Sequence, residues 1–223
     1  MTFKRVLHPL EYATGDQLSS DLVGIGIRLT APPPANEPNI EDTLVAASIE
    51  GIVREDLRVL ALLADWISIH AERINADRLT KLVTALPQKT VKAFWAGVAH
   101  WQRSDPRMKK LLKVHPKQRV DLLPNGGSFL IQRDGEDERF VGSPFRVSAK
   151  TLRQRPSDIL GPTELAMKHA AYRWRVVIGP TYRADMWALL EKEATLKPHE
   201  IARRSYGSWP TAWAVKRDWA TLR

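Results

Sequence analysis

Apolar residues recur at helical spacing over most of residues 39–112, and this pattern constrains the fold more than any other feature of the chain. Asn39 precedes one apolar series with i, i+4 spacing, and Asn75 precedes another. Asparagine is a favoured N-cap because its side-chain oxygen accepts a hydrogen bond from an N–H group of the first turn. Gly51 and Pro87 are expected to end these two helices. Residues 39–118 are therefore predicted to form a helical bundle, used for dimerisation or for binding a partner protein.

The segments on either side of this bundle lack the helical period. Four of the eight residues in APPPANEP (31–38) are proline, so residues 1–38 are predicted to be an extended lead-in that ends in a proline-rich linker. Residues 119–160 are predicted to hold a β-hairpin and a linker. Two short apolar runs, near 127–133 and 138–146, flank a polar Asp-Gly-Glu-Asp turn there. The predicted fold class is mainly α, with this small hairpin between two helical parts.

The pattern of residues 161–223 is typical of a tri-helical helix-turn-helix unit. Ala202 is the small residue expected where two helices cross closely, and Gly207 is expected to adopt a positive φ in the turn. Glycine usually comes four residues after the small alanine, a place that Tyr206 occupies here, so the turn is a variant. Ser208 is a predicted N-cap. The second helix would place four residues inward, at 3, 4 and 3 spacing: Ala212, Val215, Trp219 and Leu222.

The outward side of that helix supplies the candidate contacts with DNA. Helix 208–222 would enter the major groove, where Ser208, Thr211, Lys216 and Arg217 would contact base edges. Arg203 and Arg204 would contact phosphates. Trp209 and Trp213 would either contact DNA or pack against protein. Secondary phosphate contacts are predicted for a further set of basic residues: Lys109, Lys110, Lys113, Arg173, Arg175, Arg183 and Lys197. An ion pair of Arg183 with Asp185 or Glu191 is an alternative to its phosphate contact.

A Tyr-x-x-Arg…Gly…Arg-Ala-Asp pattern, formed by Tyr172, Arg175, Gly179 and residues 183–185, leads into this unit. Over about residues 160–223 the chain resembles uncharacterised bacterial helix-turn-helix and winged-helix regulators that carry such a pattern. The resemblance implies a role as a transcriptional regulator or an antitoxin. A winged helix also needs a β-wing: either the wing is missing here or the predicted hairpin at 127–146 takes its place.

Charge is distributed unevenly along the chain and favours a nucleic-acid partner. The formal net charge is +9, and residues 146–223 hold 15 basic against 7 acidic side chains. Residues 103–119 hold seven basic against one acidic. Basic surfaces bind nucleic acids because neutralised phosphates release their counterions. Charge does not distinguish DNA from RNA, and solvated basic residues on a plain helical hairpin would give the same excess.

Residue types and spacings disfavour an enzyme. The chain has no cysteine, and its histidines show no HExxH or similar metal-ligand spacing, so no catalytic residue, metal or cofactor is predicted. No apolar run is long enough to span a bilayer, and a cytoplasmic location without membrane contact is expected. The expected partners are double-stranded DNA and either a second copy of the chain or another protein. The alternative function is a protein-interaction module, such as an antitoxin or defence-complex subunit, that binds through the tryptophan-rich C-terminal face.

Overall fold

The computed structural model describes residues 5, 7–115 and 118–222, and these residues are mainly helical. The α-helices are α1 Gly15–Gly24, α2 Ile40–Val53, α3 Leu57–His70, α4 Ala76–Ala85, α5 Lys89–Trp101, α6 Gly127–Asp134, α7 Pro162–Lys168, α8 Ala170–Ile178, α9 Tyr182–Lys192, α10 Pro198–Arg204 and α11 Trp209–Thr221. Three 3-10 helices cover Ala71–Arg73, Pro106–Lys113 and Pro156–Asp158. Two short strands, β1 Val120–Asp121 and β2 Phe145–Arg146, pair in parallel.

Both predicted asparagine caps of the bundle are confirmed. Asn39 Oδ1 accepts from the N–H of Asp42 at 3.2 Å, and Asn75 Oδ1 accepts from the N–H of Arg78 at 3.2 Å. Gly51 does not end its helix, because α2 continues to Val53. A Cβ atom at Gly51 would lie 2.6 Å from the Cβ of Leu60, so glycine there lets α2 and α3 pack closely.

The larger hydrophobic core joins α1–α5 to residues well beyond the predicted bundle. Trp66 and Trp95 are fully buried at its centre. The prediction of an extended lead-in is wrong for residues 15–24, which form α1 and bury Leu18 and Leu22 in this core. The indole N–H of Trp66 donates to the carbonyl that follows α1 at residue 25, at 2.8 Å. Tyr172 of α8 belongs to the same core, so the predicted boundary at 161 does not separate two cores.

The predicted β-hairpin is wrong. Gly126 adopts a left-handed conformation (φ 85°) and is followed by helix α6 over residues 127–134. The apolar run that suggested a strand has little contact with the core, since Phe129 is 64% exposed. Phe140 and Phe145 are buried instead against Phe94, with ring centroids 5.8 and 5.5 Å away. No hairpin over 127–146 is therefore present to act as a wing.

A second, smaller core lies among α9, α10 and α11. Its buried members are Met186, Trp187, Leu190, Leu196, Ile201, Ala202, Ala212 and Val215. The inward positions predicted for Ala202, Ala212 and Val215 are confirmed, with exposures of 0 to 1%. Leu222 was also predicted to face inward but is 75% exposed, because α11 ends one residue before it. None of the described helices combines the length and apolar content needed to cross a bilayer.

Candidate nucleic-acid interface

The turn between α10 and α11 is built on Tyr206 rather than on Gly207. Tyr206 has a φ of 56°, the left-handed conformation that the sequence assigned to Gly207. Gly207 has a different role. A Cβ atom there would overlap the terminal methyl of Met186, so the absence of a side chain lets the turn lie directly on α9. The left-handed residue of the turn is therefore at its usual place, four residues after Ala202, but it is a tyrosine instead of a glycine.

Contacts from distant parts of the chain hold Tyr206 in this conformation. The guanidinium of Arg78 lies over the Tyr206 ring, 3.5 Å from its centroid, and Arg5 Nε donates to the Tyr206 carbonyl at 2.9 Å. Burial, with the nearby Asp42 carboxylate, raises the pKa of the Tyr206 hydroxyl. These contacts fix the position at which α11 begins relative to the bundle.

The exposed stripe of α11 consists of Trp209, Trp213 and Arg217, which we call the α11 face. The two tryptophans are 44% and 49% exposed. The three residues follow each other at i, i+4 and i+8, so they lie in one row along the helix. The Arg217 guanidinium lies 5.5 Å from the Trp213 ring centroid, and Arg217 also pairs with Asp218 at 3.2 Å. The α11 face therefore combines a large apolar surface with one cation.

Four of the predicted DNA contacts, Ser208, Thr211, Lys216 and Arg204, bond to other groups of the protein itself. Ser208 Oγ caps α11, accepting from the N–H of Thr211 at 3.3 Å, and the two hydroxyls bond at 2.7 Å. Lys216 Nζ donates to the carbonyl of Ala194, just after the end of α9. Arg204 pairs with Glu193 at 2.9 Å. Arg203 is exposed on α10 and lies on the solvent side of the unit.

The arginines of α8 and α9 also form ion pairs with carboxylates of the protein itself. Arg173 pairs with Glu191 at 2.5 Å, and Arg183 pairs with Asp218 at 3.1 Å rather than with either predicted carboxylate. The prediction of a phosphate contact by Arg175 is wrong, because this side chain is 1% exposed. Its position on α8 faces the bundle, which the sequence of α8 alone did not indicate.

A buried ionic cluster joins the C-terminal helices to the bundle. Arg175 donates to both oxygens of Glu41 at 2.6 and 2.8 Å and to both oxygens of Asp185 at 2.9 and 3.1 Å. Glu41 is 0% exposed, and it also accepts from the N–H of Asn75 at 2.8 Å. Arg78 extends the cluster to Asp42. One cation thus holds α2, α8 and α9 together.

Burial and charge act in opposite directions on the two carboxylates of this cluster. Burial raises the pKa of Asp185 to about 6, although Arg175 favours its ionised form. Burial alone would also raise the pKa of Glu41, but the guanidinium of Arg175 outweighs it and holds that pKa below its ordinary value. No local sequence pattern indicates the partners in this cluster, because Glu41 and Arg175 are 134 residues apart.

The remaining predicted phosphate contacts are at the surface. Lys109, Lys110 and Lys113 are exposed on the 3-10 helix Pro106–Lys113, and Lys197 is exposed just before α10. Lys109 and Lys110 line a groove that also reaches Tyr182 at the start of α9. Lys113 does not line this groove.

The buried histidines are bonded within the core. His70 Nδ1 lies 2.8 Å from the Tyr172 hydroxyl and its Nε2 lies 3.0 Å from the Leu160 carbonyl. Burial lowers the pKa of His70 to about 4, so the ring is neutral at pH 7. His169 accepts from the N–H of Tyr172 at 3.1 Å as the cap of α8. Across the described residues, no three His, Asp or Glu side chains form a group that could hold a metal ion.

Comparison with known proteins gives no match: no family model, no curated protein sequence and no solved structure corresponds to this chain.

Proposed function

We propose that this chain is a DNA-binding protein of the transcriptional-regulator or antitoxin type that reads duplex DNA with the α11 face. The observation that carries the proposal is the geometry of α11. It is a capped helix on a packed three-helix core with an exposed row of side chains, and the preceding helix α10 carries the exposed Arg203. A helix held in this way can enter a major groove without losing its own packing.

The length of the α11 face suits this docking. From Trp209 to Arg217 the helix rises by about 12 Å, close to the width of about 12 Å of a B-DNA major groove. Arg217 would donate to base edges, since arginine is the commonest specific partner of guanine. Trp209 and Trp213 would contact thymine methyl groups and sugars. Arg203 would contact a phosphate beside the groove.

The test is selection from a random duplex library, followed by fluorescence anisotropy with the selected sequence. We expect binding that weakens steeply as salt rises from about 50 to about 200 mM. Arg217→Ala is expected to cost about 1–3 kcal/mol and to relax sequence preference. The matched control is Arg58→Ala, an exposed arginine at the start of α3. An Arg217→Ala variant that binds every sequence as the wild type does would rule out base contact by Arg217.

A protein partner is the second candidate, and the exposure of Trp209 and Trp213 favours it. Exposed tryptophans at one face are typical anchors of protein interfaces. The double variant Trp209→Ser/Trp213→Ser separates the two functions. If the pair binds only protein, the double variant loses a copurified partner but keeps its duplex affinity, while Arg217→Ala keeps the partner. If the pair contacts DNA, the double variant loses duplex affinity.

A further inference from the structure

A groove of about 600 Å³ lies between the bundle and the C-terminal helices. One wall is the 3-10 helix Pro106–Lys113, which contributes Pro106, Arg107, Lys109 and Lys110. The opposite wall is Pro180, Thr181 and Tyr182, where α8 passes into α9. The floor is the start of α4 at residues 75–77. A volume of this size falls within the usual range of ligand sites.

Positive charge exceeds negative charge among the side chains that line the groove. Arg107 is paired with Asp105, with its Nε 3.0 Å from each carboxylate oxygen. Asp77 is paired with Lys81 at 2.5 Å. Burial would raise the pKa of Asp77, but hydrogen bonds from Lys81 and then Tyr182 outweigh it, so its pKa lies below the ordinary value.

Lys109 and Lys110 form no ion pair within 4.0 Å among the described side chains, and both are exposed. The charge of Lys110 helps to lower the pKa of Asp77, but that carboxylate is already paired with Lys81. The groove therefore carries an excess of positive charge.

An unused hydrogen-bond donor points to the same conclusion. The side chain of Asn75 is 3% exposed, and its Oδ1 caps α4. Within the described part of the chain, the Nδ2 of this groove-lining residue has no hydrogen-bond partner. Buried amides are usually satisfied, so this donor is open to an acceptor that enters the groove. The N-terminus of α4 at this floor also favours an anion.

A chain of contacts links Tyr182, in the wall of the groove, to the turn before α11. The Tyr182 ring lies 4.7 Å from the guanidinium of Arg5, and Arg5 donates to the carbonyl of Tyr206 in the turn before α11. A Cβ atom built on Gly207 would lie 3.6 Å from the Cβ of Tyr182. These contacts couple the Tyr182 wall of the groove to the turn that precedes α11.

We propose that the groove between Lys110 and Tyr182 binds phosphate, and that this phosphate belongs to the backbone of the bound polynucleotide. Lys109 and Lys110 supply the charge, and Asn75 Nδ2 with the start of α4 supplies hydrogen-bond donors. The source of the phosphate rests on the proposed function, whereas phosphate binding by the groove does not. A free polyphosphate or a nucleotide would present the same chemistry.

The first arm of the test uses inorganic tripolyphosphate as the probe and ¹H–¹⁵N correlation spectra of the full chain as the readout. We expect the backbone amide signals of Ala76, Asp77 and Thr181 to shift with saturation. The shifts should disappear in Lys109→Gln/Lys110→Gln. The matched control is Lys89→Gln/Lys150→Gln, which removes two exposed lysines that do not line the groove. If wild-type amides at the groove do not move, the site is refuted.

The second arm measures how duplex affinity depends on salt. Each phosphate contact contributes about 0.9 to the slope of log K against log salt concentration. Lys109→Gln/Lys110→Gln is therefore expected to reduce the slope by about 1.8, and Lys89→Gln/Lys150→Gln to leave it unchanged. If the groove variant leaves the slope unaltered although tripolyphosphate shifts the groove amides of the wild type, the ligand of the groove is a small phosphate compound and not the polynucleotide backbone. Tripolyphosphate shifts in a protein that ignores duplex DNA would refute the proposed function and retain the site.

Discussion

Replacement of Arg175 by methionine should destabilise the protein more than any surface change. Arg175 makes four hydrogen bonds of 2.6 to 3.1 Å to two carboxylates, Glu41 and Asp185, whose side chains are 0% and 7% exposed. Removing one partner of a buried ion pair costs about 3–5 kcal/mol, because the other charge stays buried without compensation. Asp185 loses its ion-pair partner here and Glu41 keeps only the 3.9 Å contact with Arg78, so the upper part of that range is expected. Such a loss is a large fraction of a typical stability of about 5–15 kcal/mol.

The assay is urea unfolding followed by circular dichroism at pH 8. The control Arg217→Met removes an arginine whose side chain is 65% exposed and should change stability by less than about 0.5 kcal/mol. The triple variant Glu41→Gln/Arg175→Met/Asp185→Asn should recover at least half of the loss, because no uncompensated charge remains.

The loss in Arg175→Met should also be smaller at pH 5. Burial already raises the pKa of Asp185 to about 6, and removal of the cation raises it further. A carboxyl group whose pKa is higher in the folded state than in the unfolded chain makes the free energy of unfolding rise as pH falls. The reasoning is refuted if Arg175→Met costs less than about 1 kcal/mol, or if the triple variant is no more stable than the single one.

Two further predictions concern packing and protonation. Gly207→Ala should lower the free energy of unfolding by about 1–3 kcal/mol, because the added methyl group overpacks against Met186. Met186→Leu in the same chain should restore part of that loss. The control is Gly161→Ala, where a Cβ atom meets no atom within 4 Å. Equal unfolding midpoints for the two alanine variants would show that α9 does not require glycine in the turn. His70, with a folded-state pKa of about 4 against 6.5, should by itself lower the free energy of unfolding by about 2 kcal/mol between pH 7 and pH 5, since its unfolded state binds more protons in that window, while the raised pKa of Asp185 acts in the opposite direction. His70→Gln should flatten this dependence, and an unchanged pH profile in that variant would assign it to other groups.

Local signals in the sequence predicted the helical framework well. The N-caps at Asn39, Asn75 and Ser208 are where the capping rules place them, because a cap depends on residues within one turn. The inward row of α11 was predicted correctly at Ala212 and Val215 for the same reason. Both kinds of inference depend only on residues that lie close together in the sequence.

The errors arise where distant residues decide the structure. Residues 127–134 have a strand-like apolar run, yet Phe140 and Phe145 occupy the core beside Phe94 and leave the run at the surface as α6. Arg175 read as a surface cation because its carboxylate partner on α2 is 134 residues away. One signal of a buried pair was present: Glu41 lies in the first turn of a helix that is otherwise strongly apolar.

The candidate site was predicted in outline but not in its individual contacts. Trp209, Trp213 and Arg217 lie on one exposed row, as the helical period required. Lys216 was assigned to the same surface, but its long side chain reaches back to the carbonyl of Ala194. Side chains of this length can bend toward an unpaired helix carbonyl, which sequence spacing does not reveal.

The most direct test of DNA binding is the affinity of the purified chain for duplex DNA selected from a random library, measured at low salt for wild type and Arg217→Ala. We expect the wild type to prefer the selected sequence over a scrambled one, and Arg217→Ala to lose that preference while keeping its unfolding midpoint. Failure of the wild type to bind any duplex at low salt would contradict the proposed function and leave a protein partner as the ligand of the α11 face.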